Sequence, residues 1–302
     1  MTDVRPGSLD DAAAYLEIRR ESFPWLVNTP EGVRHQWQQA LDTADGALFR
    51  VDDGAAGLAA FGRCGRNTWT SEAGAANATL VVRADLRGRG IGTALLAAME
   101  RHLRDVGCRK VSGYGVNRPE VLRWMRANGY ETAGELRYSE ALLDDLPPTP
   151  DLPAGVTVVT FEEAGPEPAY LVDAETVADE PGEVTYDKVG YDDWKRESWD
   201  KPTLRRDFSV LVHVDGEPAA CTLIEADAEA GRVWSAGTGT RRPYRGRGLA
   251  KIAKSVGLRK ARDAGMTTAY ASNDEINAPM LAVNEWLGYR PVGSEMECVK
   301  KL

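Results

Sequence analysis

Only four cysteines occur in 302 residues, at 64, 108, 221 and 298, with no CxxC pair, and the three histidines, His35, His102 and His213, are just as dispersed. This scarcity excludes a disulfide framework and any metal site built on His/Cys spacing, so each cysteine is expected to pack in a reduced, metal-free core. No apolar run reaches 18 residues, and Met1-Thr2-Asp3-Val4-Arg5 does not read as a signal. A cytoplasmic location with no membrane partner is therefore expected. Basic charge is in deficit, with 37 Lys and Arg against 46 Asp and Glu, a net charge of −9 and a pI near 5.1. An acidic surface repels nucleic acid, so none is expected as a partner.

What the chain does have, it has twice. Residues 87–93 read RGRGIGT and residues 245–251 read RGRGLAK. Each copy follows a strand-like run and opens an amphipathic helical pattern. Gly107 and Gly265 follow the two helices at the same offset, and Asn128-Gly129-Tyr130 is matched by Leu287-Gly288-Tyr289. Matches in this order mark an internal duplication.

The repeated stretch suits an anion. A helix N-terminus carries about four unpaired N–H groups and roughly half a positive charge. Glycines let backbone approach a ligand, and arginines bind phosphate by charge-assisted hydrogen bonds. Nucleoside triphosphates, dinucleotides and coenzyme A all use such a cradle. Neither copy has the GxxxxGK[ST] of a triphosphate loop, and Gly88, Gly90 and Gly92 have GxGxG rather than GxGxxG spacing.

What remains is R-x-x-G-x-G/A, at Arg87…Gly90-Ile91-Gly92 and Arg245…Gly248-Leu249-Ala250. This resembles the acetyl-CoA motif of the GCN5-related N-acetyltransferase (GNAT) superfamily, over both halves. The block Asn273…Asn277…Met280…Asn284 before Leu287-Gly288-Tyr289 is similar to that of tandem actinobacterial GNATs, the wider group that includes the mycothiol synthases. The resemblance implies two GNAT domains in tandem, each a mixed, mostly antiparallel sheet flanked by helices, with two neighbouring strands splayed.

The chain order fits that α/β expectation. In the first half, helices are expected at 9–21, 31–41, in the stretch after the first loop and at 118–128. Strands are expected at 47–51, 55–63, 79–82 and 110–116, with 130–142 closing the first sheet. Four prolines and three acids between Asp144 and Pro153 read as a linker. The same order restarts at Val156 and ends on a strand over 290–299. The domains are accordingly placed at 1–146 and 155–302, with 147–154 between them.

The resemblance also implies a site. Backbone of Leu80, Val81 and Val82, and of Thr238, Gly239 and Thr240, would meet the pantetheine arm. Arg87, Gly88, Arg89, Gly90, Ile91, Gly92 and Thr93, with Arg245, Gly246, Arg247, Gly248, Leu249, Ala250 and Lys251, would hold the pyrophosphate. Asn117 and Asn277 are further cofactor candidates. The tyrosine that such enzymes often use as general acid is replaced by Met125 and Asn284, so Asn284, with Tyr270 or Tyr114, is the catalytic candidate. A mid-helix asparagine is mildly unfavourable, which suggests a polar task. Acids and aromatics over 179–199, including Glu180, Glu183, Trp194 and Trp199, suit a cationic acceptor, and Phe23, Trp25, His35 and Trp37 are the first-half counterparts. The expected function is acetyl transfer from acetyl-CoA to a small-molecule amine by direct attack, in a monomer or homodimer, with the second half catalytic. The alternative is an acyl-CoA-binding module.

Overall fold

The computed structural model describes residues 2–54, 57–179, 186–187 and 189–302. In chain order the first stretch gives β1 (Arg5–Pro6), α1 (Ala12–Ser22), α2 (Pro30–Thr43), β2 (Ala47–Asp52), β3 (Leu58–Arg66), β4 (Ala75–Val82), α3 (Ile91–Asp105), β5 (Lys110–Val116), α4 (Pro119–Ala127) and β6 (Glu131–Leu142). The second gives β7 (Val156–Thr160), α5 (Phe161–Ala164), α6 (Pro166–Val177), α7 (Tyr191–Trp194), β8 (Val210–Val214) and β9 (Glu217–Asp227). It continues with β10 (Arg232–Thr240), α8 (Leu249–Asp263), β11 (Thr268–Asp274), α9 (Ala278–Trp286) and β12 (Arg290–Lys301).

Two compact units result, residues 1–135 with 294–302, and residues 136–293. In the first, strands lie in the order β1-β2-β3-β4-β5-β12. Every pair is antiparallel except β4–β5. The second is ordered β6-β11-β10-β9-β8-β7, with β10–β11 its parallel pair. α3 packs one face of the first sheet through Leu95, Met99 and Leu103; α1 and α2 cover the other through Leu16, Val33 and Trp37. In the second unit Leu249, Ile252 and Leu258 of α8 are buried in the same way.

The last strands correct the expected arrangement. The strand at 131–142 does not close the first sheet; it pairs with β11, Arg137 opposite Asn273. The strand at 290–301 pairs instead with β5, Glu297 opposite Tyr114. The domain limits of 1–146 and 155–302 therefore give way to limits near 135 and 294.

Charge explains the choice. In the first unit, buried Glu100 on α3 receives Lys300 at 2.7 Å, and Arg19 on α1 meets buried Glu295 at 3.2 Å. The repeat puts Leu258 and Asp173 at the matching places of the second unit, and Ala141 and Leu136 at the matching places of β6. Unexchanged, β12 would set Lys300 against Leu258 and Glu295 against Asp173, while Glu100 would stay buried beside only the half-exposed Arg104. Losing one partner of a buried pair costs about 3–5 kcal/mol. The proline-rich stretch after β6 is also bound to the second unit: Leu143 N donates to Thr267 O, and Arg259 holds Thr149 and Pro147.

Candidate active site

Each unit opens its sheet at the same place. β4 and β5 pair only from Ala75–Lys110 to Asn77–Ser112, and then part. β10 and β11 pair from Arg232–Thr268 to Trp234–Tyr270, and then part. In the first unit the branching point is a glycine: a Cβ on Gly113 would stand 2.5 Å from Ala78 O. In the second, a bulge falls between Ser235 and Gly237 where the gap begins. Bulges bend a strand and re-aim its groups. Leu80 to Val82 and Thr238 to Thr240 thus lie past the last pairs with β5 and β11, on strand edges left unpaired on the gap side.

A helix N-terminus is presented to each gap. Gly90 and Gly248 are the N-cap residues of α3 and α8, at φ +82° and +74°, with no side-chain cap. Gly88 and Gly246 also have positive φ, and a Cβ on any of these four meets nothing within 4 Å. The backbone of these four glycines is therefore open, with no other group packed over it. Two left-handed glycines in a four-residue turn, before a 15-residue helix, have the backbone geometry that suits an anion.

The motif arginines do two kinds of work. Arg87 Nε donates to Val82 O and Arg245 Nε to Thr240 O, both at 3.0 Å, so each braces its loop on its strand. Arg87 also reaches Ser22 Oγ at 2.6 Å, whereas Arg245 and Arg242 bind Asp179. Hydrogen bonds from Arg242 and then Arg245 hold Asp179 below the usual carboxylate range. Arg89 donates to Asp85 O, Arg247 lies 5.7 Å from the Tyr244 ring, and Lys251 lies 5.1 Å from Trp286. Thr93 Oγ1 accepts from Trp124 Nε1 at 3.0 Å.

In the first unit the gap leads into a cavity of about 580 Å³, walled by Leu80 and Val82, Gly90 to Thr93, Tyr114, Trp124 and Arg19. That volume is in the range of small-molecule and cofactor sites. The matching ground in the second unit holds a polar network. Asn284, 3 % exposed, donates from Nδ2 to Asn273 Oδ1 at 2.5 Å and accepts from Lys254 Nζ at 2.5 Å. Lys254 also lies 4.5 Å from the Tyr289 ring, whose hydroxyl meets Ser235 Oγ. Burial lowers the Lys254 pKa to about 7. In the first unit the same two places hold Leu96 and Met125.

Other candidates sort by position. Asn277 caps α9, accepting from Met280 N at 3.3 Å. Asn117 donates to Glu135 and Ser294. Tyr270 stands in the last residue pair before the second gap, 7 % exposed, and burial raises its pKa. Trp37 is stacked on Phe61 at 4.4 Å, inside the core. Trp194 and Trp199 are buried too, among Phe161, Tyr170 and Tyr191. Residues 180–185 and 188, with Glu180 and Glu183, lie outside the described residues. Sequence reasoning missed Arg19, Lys254 and Asp173. Lys254 left one signal: it interrupts the apolar face of its helix where the first copy has leucine. Among the described residues no group of three His, Cys, Asp or Glu could hold a metal ion. No helix among them is long and apolar enough to cross a membrane.

A mixed sheet opened beside its one parallel pair, with a glycine-capped helix at the opening, defines the acyltransferase class that the motif resembles; here it occurs twice. Residues 12–131 match the acetyltransferase (GNAT) family. The chain is 33% identical over 266 residues to a mycothiol acetyltransferase of Streptomyces griseus, covering 86% of this chain and 77% of that one. It is 32% identical over 220 residues to that of Streptomyces coelicolor, covering 70% and 67%. Two solved structures share the fold. A tandem GNAT protein from the clavulanic acid biosynthesis pathway superposes with a TM-score of 0.76 at 18% identity, over 100% of this chain and 98% of that one. A GCN5-related N-acetyltransferase from Sphaerobacter thermophilus gives 0.73 at 20%, over 99% and 95%. The chain belongs to the GNAT family of N-acetyltransferases, with two such domains in tandem.

Proposed function

We propose that the chain moves the acetyl group of acetyl-CoA to a primary amine of a small molecule by direct attack, and that the second unit carries out the transfer. The observation that carries the proposal is the doubled cradle: open left-handed glycines, an uncapped helix N-terminus and an unpaired strand edge, set around one gap. A pyrophosphate fits the first two features, and a thioester arm fits the third. The name of the relatives, mycothiol acetyltransferase, supports a small-molecule acceptor. Preference for the second unit rests on its fuller motif, the block Asn273…Asn277…Met280…Asn284 that the first unit lacks.

In the transfer, backbone N–H groups at the strand edge stabilise the oxyanion of the tetrahedral intermediate. The coenzyme A thiol has a pKa near that of free cysteine, about 8.5, so protonation of the leaving thiolate at pH 7 is downhill by roughly 2 kcal/mol. Asn284 in place of the tyrosine is thus tolerable. A second reading, binding of acyl-CoA without transfer, is favoured for the first unit by Met125, an apolar side chain where the tyrosine would stand.

Thiol release from acetyl-CoA in the presence of an amine panel tests the function. Release with at least one small primary amine is expected. Coenzyme binding without release in any case would leave only the binding reading.

A further inference from the structure

Asp173 stands half-buried on α6, among aromatic side chains. Trp194 Nε1 donates to its Oδ2 at 2.7 Å. Trp194 lies 5.6 Å from the Tyr170 ring and 6.0 Å from Trp199, and Tyr191 meets Tyr170 edge-on at 5.2 Å. The tyrosine hydroxyls are already held, by Val189 O and Glu167. Among the described residues Oδ1 of Asp173 accepts no hydrogen bond. It lies over Gly237 of β10, where a Cβ would stand only 3.3 Å away. Gly237 is the residue past the bulge, on the stretch of β10 that has left β11. The carboxylate oxygen therefore rests on the face of β10, over the residue at which that strand has left β11.

The repeat sharpens this. Glu175 accepts from Arg242 N, and Glu21 accepts from Ala84 N. Those two contacts put α6 in register with α1, so Asp173 answers to Arg19. One unit carries a carboxylate there, and the other a guanidinium paired to Glu295.

We propose that Asp173 is the general base of the second unit, its Oδ1 taking the proton from the acceptor amine at the gap. The assignment rests on the transfer reading above. The ammonium first loses one proton to solvent; the neutral amine nitrogen then attacks the thioester carbonyl carbon and forms the C–N bond. Its N–H proton passes to Asp173 Oδ1, the C–S bond breaks, and the electron pair leaves on sulfur. The thiolate is protonated by solvent, and Asp173 returns its proton to solvent. The aromatic ring of Tyr170, Tyr191 and Trp194 suits the approach of a cation. Burial raises the Asp173 pKa to about 6, opposed by the Trp194 hydrogen bond. From the packed strand β9 the titratable neighbour is the Cys221 thiol, which burial keeps neutral.

The test uses the full chain at saturating acetyl-CoA, with tyramine, putrescine and glucosamine as probe amines, and follows thiol release from pH 5 to 9. The unaltered chain is expected to lose kcat/KM below about pH 6 with an accepted amine. Asp173→Asn should lower kcat about a hundredfold or more, abolish that limb and keep the thermal shift given by acetyl-CoA. Asp173→Glu should restore part of the rate. Trp194→Phe removes a hydrogen bond that favours the charged form, and should move the limb to higher pH. Wild-type turnover and an intact limb in Asp173→Asn would overturn the assignment, and so would an unmoved limb in Trp194→Phe should Asp173→Asn fail to fold. Failure of the unaltered chain to acetylate any of the three amines, with coenzyme still bound, overturns the transfer reading and removes the base with it.

Discussion

Lys254 and Asn284 show how one position changes its task between two copies of a fold. Asn284 is tolerated mid-helix because both ends of its amide are satisfied, one by Lys254 and one by Asn273. Burial holds the folded pKa of Lys254 near 7, below the ordinary 10.5. The stability this group adds is therefore complete above about pH 10.5 and lost as pH falls to about 7. Replacing the pair by the first copy's residues, Lys254→Leu with Asn284→Met, should raise the melting temperature, more at pH 7 than at pH 10. Lys254→Leu alone should gain less, because it removes a donor from a buried amide oxygen. Thermal melts of both variants at the two pH values check this. Asp173 has the opposite sign. Its raised pKa costs stability as pH rises through about 4 to 6. Asp173→Asn should therefore be more stable than the unaltered chain at pH 8, with little difference at pH 4, even as it loses activity.

At the scale of elements, the two glycine-capped helices are the parts to separate. A valine at φ near +75° is strained, so Gly248→Val and Gly90→Val should each close one cradle. Gly248→Val should abolish thiol release, while Gly90→Val should keep it and lose one bound coenzyme by calorimetry. Release lost in Gly90→Val and kept in Gly248→Val would move the reaction to the first unit. The exchange of β12 has its own test. Lys300→Met leaves Glu100 buried beside only a half-exposed Arg104, at a cost of about 3 kcal/mol. Adding Glu100→Leu copies the Leu258 of the second unit and should recover most of the loss in urea unfolding. Most helices and strands were legible because apolar period and glycine punctuation are local signals: β5 was read at 110–116, its observed limits. The partner of β12 was not, because either sheet offers an antiparallel edge, and only ion pairs distant in sequence separate them.

For the whole molecule, ligand binding and stability are linked. Acetyl-CoA at a hundredfold excess over its Kd should stabilise a unit by about 2.7 kcal/mol. For units of this size that is a shift on the order of 5–10 °C, read by calorimetry with and without the coenzyme. Two transitions, one moving and one fixed, would mean that a single cradle is filled. Net charge of −9 also bears on the choice of partner. A cationic small amine is drawn toward such a protein at low salt, and this attraction should weaken as salt is added.

Read alone, the sequence determined the duplication, the two cradles and the class of chemistry. Each of these rests on residues close in the chain, where glycine conformation and helix-end electrostatics act over a few positions. Only the tertiary structure decided which last strand closes which sheet. It also decided that Asn284 is spent on Lys254 and Asn273, and that Asp173 lies on Gly237 at the bulge. Those facts depend on burial and on polar and charged groups brought together from 11 to 276 residues apart, which no periodicity or spacing in a single chain pairs.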